Sequence, residues 1–195
     1  MITFEKFNEQ YDVQKLERDD IAIGDFDCGD SDLNDFIKNK VHFYRKQLLA
    51  MPYVLTNKNR TDRILAYFTL SNDKIAVTDF PSNNQFNKFK KENFNKEKFL
   101  RSYPSAKIGR LAIHKDFQKI GIGTHILRFI KMFFLAENKT GCRFITLDAY
   151  KGAIDFYKRN GFIFLQAKET KPTRLMYFDL KRLPSGAPPP PPKGA

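Results

Sequence analysis

The sequence predicts a single α/β domain. Three observations carry this: a length of 195 residues, which suits one domain with a real core; strand-like runs alternating with two amphipathic helical stretches; and a glycine-bearing turn that joins a strand to the longer helix. Residues 1–28 read as a short strand and then loop, leading into Phe26-Asp27-Cys28-Gly29. Asp30 or Ser31 caps the next helix, whose Leu33, Phe36, Ile37, Val41, Tyr44 and Leu48 recur at helical spacing, and Pro52 ends it. Tyr53–Asn57 and Ile64–Ser71 form a hairpin across the charged turn at 59–62, and Lys74–Thr78 adds a short strand.

Residues 82–101 are a basic insertion. Phe86, Phe89, Phe94 and Phe99 alternate with Lys88, Lys90, Lys91, Lys96, Lys98 and Arg101, against only Glu92 and Glu97. A helix there packs its Phe side chains inward and turns its Lys side chains to water. It serves either as a solvated amphipathic excursion or as a basic arm for RNA or a partner. The strand Lys107–His114 follows, then a helix over Gly121–Asn138 with Ile122, Ile126, Leu127, Ile130, Phe133 and Phe134 on its apolar stripe. Arg143–Ala149 is the next strand. The helix Ala153–Arg159 closes at Asn160-Gly161, and Phe162–Ala167 pairs with Arg174–Leu180. The run of five prolines after Leu183 cannot pack a core, so 184–195 read as a disordered polyproline-II tract or an appended extension.

The net charge of +12 favours an anionic partner, whether nucleic acid, acidic protein or anionic cofactor, and disfavours a polycationic substrate. Cys28 and Cys142 stand apart without a CxxC spacing and read as reduced, small core residues of a cytoplasmic protein. His42, His114 and His125 are scattered, with no carboxylates at ligand spacing, so no metal is expected. The first residues lack the basic and apolar segments of a signal peptide, and no apolar run approaches the about 18 residues of a membrane span.

The chemistry concentrates at Ile108–His114 followed by Gln118, Gly121, Gly123 and Thr124 at the mouth of the long helix. The first turn of a helix leaves N–H groups unpaired and carries partial positive charge, which suits a pyrophosphate. Glycines at 121 and 123 let the backbone approach it closely. The P-loop ending Gly-Lys-Ser/Thr is missing, and the glycine order is not that of a dinucleotide fold.

The ordered set of strand, Q-x-x-G-x-G, helix, strand and then Phe156-Tyr157-x-x-x-Gly161-Phe162 resembles the GNAT N-acetyltransferase superfamily over Lys107–Leu165. The resemblance implies a mixed central sheet with a splayed strand pair at an acetyl-CoA site and helices on both faces, in one domain over 1–183. It implies that backbone groups of Leu111, Ala112 and Ile113 hold the pantetheine arm and thioester. Amides of Gln118, Lys119, Ile120, Gly121, Ile122, Gly123 and Thr124 then hold the pyrophosphate. The Tyr157 hydroxyl is the general acid for the leaving thiolate, with aromatic packing as its structural alternative. His114 is a candidate base or a surface residue at a strand end. Arg110 orients a substrate anion or forms a surface pair, and Asp148 makes a structural contact.

No acid pair announces a general base, so the acceptor suits a low-pKa amine. A lysine amine titrates near ~10.4 and an α-amine near ~8. Phe26-x-Cys28-Gly29, Tyr67–Ser71 and Ile108–Ala112 further resemble the GNAT toxins of toxin–antitoxin pairs, which acetylate aminoacyl-tRNA. This narrower resemblance implies acetyl-CoA, an aminoacyl-tRNA, an antitoxin protein and a second copy of the chain as partners. The competing functions are an ordinary protein or small-amine acetyltransferase and a non-catalytic acetyl-CoA- or RNA-binding module.

Overall fold

The computed structural model describes residues 3–17, 23–94, 100–136, 138, 141–165 and 172–183. Among the described residues, seven strands hydrogen-bond in the order β1-β2-β3-β4-β5-β7-β6. They are β1 (Tyr11–Lys15), β2 (Met51–Asn57), β3 (Arg60–Ala76), β4 (Ser102–Ile113), β5 (Phe144–Tyr150), β6 (Ile163–Phe164) and β7 (Thr173–Asp179). The α/β class holds. The chain packs as two compact units, Met1–Ser71 with Ile108–Glu137, and Asn72–Lys107 with Asn138–Gly186; β3 and β4 run through both.

In the first unit β1 pairs antiparallel with β2, and β2 with β3. Adjacent side chains of a strand point to opposite faces, and Tyr67 and Phe68 on β3 show what each face receives. Tyr67 packs with Phe26, Phe36, Ile37, Val41 and Ala112 and donates from its hydroxyl to the Leu33 carbonyl at 2.8 Å. That face is covered by α2 (Ser31–Asp35), a π-helical turn (Phe36–Lys40) and α3 (Val41–Lys46). Phe68 stacks on Tyr53 at 5.0 Å and meets Phe129 of α5 (Ile122–Ala136) at 6.4 Å. Helices therefore cover both faces of this unit's strands.

The second unit repeats the logic on β7, which pairs antiparallel with both β5 and β6. Tyr177 lies in the cluster of Phe86, Phe89, Tyr103 and Phe144, under α4 (Asn83–Asn93). Its neighbour Phe178 meets Phe162, which in turn contacts Tyr157 on α6 (Ile154–Arg159).

Several expectations are corrected. The N-terminal strand and loop do not open the chain. The helix α1 (Phe4–Gln10) precedes β1, because Thr3 caps it and Phe7 buries against the His125 ring at 4.8 Å. The helix after Asp30 ends at Lys46, ahead of Pro52. Leu48 takes φ +55°, which no right-handed helix accommodates, and Pro52 lies buried within β2. Lys74–Ala76 continue β3 rather than forming a separate strand, and β4 begins at Ser102. The expected strand over 162–167 is only Ile163–Phe164, with 166–171 outside the described residues.

The insertion behaves as an amphipathic helix. Phe86 and Phe89 are buried while Lys88 and Lys91 face water; Lys96, Lys98 and Phe99 lie outside the described residues, as does the proline tract. Both cysteines are free thiols. Cys142 is buried, and Cys28 is half-buried at the edge of the first unit's core cluster, its thiol donating to Asn34 at 3.2 Å. Among the described residues no helix is long and apolar enough to cross a membrane, and no group of three His, Cys, Asp or Glu could hold a metal ion.

Candidate active site

The loop after β4 is built from its backbone outward. His114 leaves the strand with its N–H donating to the Leu65 carbonyl at 2.8 Å. A short 3₁₀ turn over Lys115–Phe117 follows, and α5 begins at Ile122. Lys119 at φ +63° and Gly121 at φ +102° both lie in the left-handed region. Such alternation of backbone hand is how consecutive N–H groups form an anion-binding concavity, and at Gly121 it favours the absence of a Cβ. The first helical bonds run from the Thr124 and His125 N–H groups to the Gly121 carbonyl at 3.1 and 3.2 Å. The amides of Ile122 and Gly123 therefore precede the helix's own acceptors. Lys119, Ile120 and Thr124 are exposed, whereas Gly123 is buried against the unit's interior.

A polar clip holds this loop, and its members come from the Asp27-Cys28-Gly29 segment. Gln118 donates from one amide nitrogen to the Cys28 carbonyl at 2.8 Å and the Ile113 carbonyl at 2.9 Å. Lys115 donates its backbone N–H to the Asp27 carbonyl at 2.8 Å, and its ammonium sits 2.9 Å from the Asp27 carboxylate. The other Asp27 oxygen accepts from the Gly29 amide at 2.9 Å and from Asn34 at 2.8 Å. The Lys115 hydrogen bond, then those of Gly29 and Asn34, hold the Asp27 carboxyl well below the usual range, and Asp27 in turn raises Lys115. Sequence reasoning placed Gln118 among phosphate contacts. Its side chain staples the loop, and its backbone N–H donates to the Lys115 carbonyl at 3.4 Å. It missed Asp27 and Asn34 altogether, because their partners lie far along the chain.

Within β4, Ala112 points into the core cluster, while Leu111 and Ile113 are half-buried. Gly109 is fixed by close approach: a Cβ there would lie 2.9 Å from the Thr69 hydroxyl, which accepts the Arg110 amide at 3.0 Å. The Arg110 guanidinium stacks 3.7 Å over Phe36 and lies 5.3 Å from the Tyr44 ring. Among the described residues the surface pair considered for it is not made.

His114 is not the expected surface residue. It is 3% exposed, its Nδ1 accepts the Asp116 amide at 3.2 Å, and Nε2 lies 3.1 Å from Arg63. Arg63 also donates to Asp116 at 2.8 Å, so this imidazole caps a turn. In the second unit Asp148 pairs with Lys107 at 2.6 Å, the structural contact expected of it.

Tyr157 lies on α6, half-buried between Phe156 at 5.1 Å and Phe162 at 5.8 Å. Burial pushes its phenol up to about 12, so it carries its proton throughout the neutral range. The glycine closing its motif is dictated locally. Gly161 takes φ +80°, and a Cβ there would meet the Phe178 ring at 3.0 Å.

The sequence profile of the acetyltransferase (GNAT) domain family matches residues 90–164. Among solved structures, the chain is similar to AtaT complexed with acetyl-methionyl-tRNAfMet, with a TM-score of 0.71, 23% identity, and coverage of 88% of this chain and 96% of that one. It is similar to an AtaT toxin variant bound to the C-terminus of the antitoxin AtaR and acetyl-CoA, with a TM-score of 0.66, 24% identity, and coverage of 89% and 95%. It is similar to a tyrosine-to-phenylalanine variant of KacT, with a TM-score of 0.67, 27% identity, and coverage of 89% and 96%. The family match over residues 90–164 and the likeness to these solved structures point to the same fold.

Proposed function

We propose that the protein transfers the acetyl group of acetyl-CoA to the α-amine of an aminoacyl-tRNA, and that an antitoxin partner restrains it. The observation that supports this most is the fold likeness to AtaT, which spans nearly the whole of both chains and includes a complex with acetyl-methionyl-tRNA. The net charge of +12 supports a phosphate-rich acceptor, because such affinity is largely electrostatic.

In this reading the amides from Lys119 to Gly123 hold the pyrophosphate, since those of Gln118 and Thr124 already donate to the Lys115 and Gly121 carbonyls, and the backbone of Leu111, Ala112 and Ile113 holds the pantetheine arm. The neutral amine attacks the thioester carbonyl; a C–N bond forms and the C–S bond breaks. The Tyr157 phenol protonates the departing thiolate, and the amine's surplus proton restores the phenol, so amide and thiol are the net products. The obvious bases are engaged elsewhere: Asp148 by Lys107, and His114 by the Asp116 amide. That favours an acceptor already neutral near pH 7, as an α-amine near ~8 is far more often than a lysine near ~10.4.

Thiol release from acetyl-CoA tests the reading when charged tRNA, deacylated tRNA and peptides are offered in turn. Release with charged tRNA alone is expected. Equal release with peptides overturns the acceptor and leaves an ordinary acetyltransferase.

A further inference from the structure

Arg110 holds a planar cation against an aromatic wall, and among the described residues no carboxylate pairs with it. Its guanidinium is 3.7 Å from the Phe36 ring and 5.3 Å from that of Tyr44. Phe36 is 1% exposed and forms the floor. Tyr44 meets it edge-on at 5.1 Å, and Phe43 meets Tyr44 at 6.2 Å. Phe43 is 58% exposed, a large apolar ring presented to water next to Tyr44.

Two features of the backbone fix the arrangement. Phe36 opens a π-helical turn between α2 and α3, a conformation uncommon enough that it is frequently found at functional sites. On β4 the Arg110 amide is pinned by Thr69 at 3.0 Å, with Gly109 packed close to the same hydroxyl. A guanidinium has five donors and suits phosphate in a bidentate geometry. Here its face is taken by an aromatic ring while its edge has no anion to serve. Exposed rings beside an arginine are the parts from which single-stranded nucleic acid sites are built, the bases stacking and the phosphates pairing.

We propose that Arg110, Tyr44 and Phe43 form a subsite for the single-stranded 3′ end of an RNA acceptor, with Arg110 on a phosphate and Phe43 stacked on a base. This rests on the proposed tRNA acceptor and adds where its end is gripped. Arg110 and Phe43 are positioning residues and take no part in proton transfer.

The test separates the subsite from the acceptor reading by using two acceptors and one binding probe. Arg110→Gln and Arg110→Lys are compared with wild type on charged tRNA and on methionine methyl ester, an α-amine without phosphate. The expected result is a KM for charged tRNA raised about tenfold in both variants, because the lysine keeps charge but loses the fork and the stack. The KM for acetyl-CoA and the rate with the ester stay within about twofold. A rise in the acetyl-CoA KM alone would mean that Arg110 serves a phosphate of the donor, and would overturn the subsite.

Independently of turnover, a fluorescent four-nucleotide single-stranded RNA is titrated by anisotropy. Phe43→Ala is exposed and safe for folding, and should weaken its binding about tenfold, within the range for loss of one base stack. If charged tRNA accepts no acetyl group from wild type, the acceptor reading fails, and this titration alone decides the subsite. Unchanged RNA binding in both Phe43→Ala and Arg110→Gln overturns it.

Discussion

The Lys115 ammonium lies 2.9 Å from the Asp27 carboxylate, while the backbone N–H of the same lysine donates to the carbonyl of the same aspartate at 2.8 Å. This double link ties the loop after β4 to the Asp27-Cys28-Gly29 segment ahead of α2. Gln118 closes the clip from the other side through two carbonyls. The loop's geometry is thus set before any ligand arrives.

Gln118→Ala removes both staples, each worth about 0.5–1.5 kcal/mol net. Acetyl-CoA affinity in calorimetry should fall about fivefold or more with the folded spectrum intact. Unchanged affinity would show that the loop holds its shape without the clip.

The pH dependence of the clip follows from its two members. Asp27 is depressed in the folded state, so its contribution is complete above the ordinary carboxylate range near ~4 and is lost only as pH falls through its lowered value. Lys115 is raised, so its contribution is complete below the ordinary lysine value near ~10.4 and is lost as pH rises through the raised one. Stability differences between wild type and Asp27→Asn, measured by denaturant titration, should therefore be flat from about pH 5 to 9. A step inside that window would mean that another group controls the segment.

Gly121→Glu places a bulky anion where the pyrophosphate is proposed to lie, at a φ of +102° that L side chains rarely adopt. Acetyl-CoA binding should be abolished while the protein stays folded. Binding equal to wild type would remove the phosphate assignment.

Tyr157→Phe keeps the ring packing against Phe156 and Phe162 and removes only the proton donor. Turnover should fall by about 10²–10⁴, the usual contribution of a positioned general acid, with acetyl-CoA affinity unchanged. Because burial raises the phenol to about 12, the wild-type rate should show no alkaline limb from this group below that pH. A variant within about twofold of wild type makes Tyr157 a packing residue.

Gly109→Ala drives a Cβ to 2.9 Å from the Thr69 hydroxyl. The overpacking should cost about 1–3 kcal/mol, and adding Thr69→Ala, which removes that oxygen, should recover part of the loss. An additive double mutant would place the strain elsewhere.

The features legible in the sequence were those written in local spacing. The stripe of α5 and the glycine stop at Gly161 follow from a few neighbouring residues, and the structure places them where the pattern implied. What escaped depends on partners distant in the chain. The helix α1 forms because Phe7 finds His125, and no periodicity in seven residues announces that. The π-helical turn at Phe36–Lys40 leaves the spacing of Phe36, Ile37 and Val41 compatible with an ordinary helix. His114 looked like a polar strand end because its burial depends on Phe26, far back in the chain, with the nearby Phe117 closing over it. Of the candidate site, the strand–loop–helix was legible, whereas the clip through Asp27 and Asn34 was not, since hydrogen bonds between separated segments leave no sequence period.

The most direct measurement is mass spectrometry of charged tRNA after incubation with the protein and labelled acetyl-CoA, followed by nuclease digestion to the terminal nucleoside. The account predicts an aminoacyl-adenosine carrying one labelled acetyl group on its α-nitrogen, no label on any nucleotide base, and no product from tRNA deacylated beforehand. Formation should decline steeply as salt rises, since phosphate contacts release counterions. Labelled peptides or small amines alongside an unmodified aminoacyl-adenosine would contradict the account.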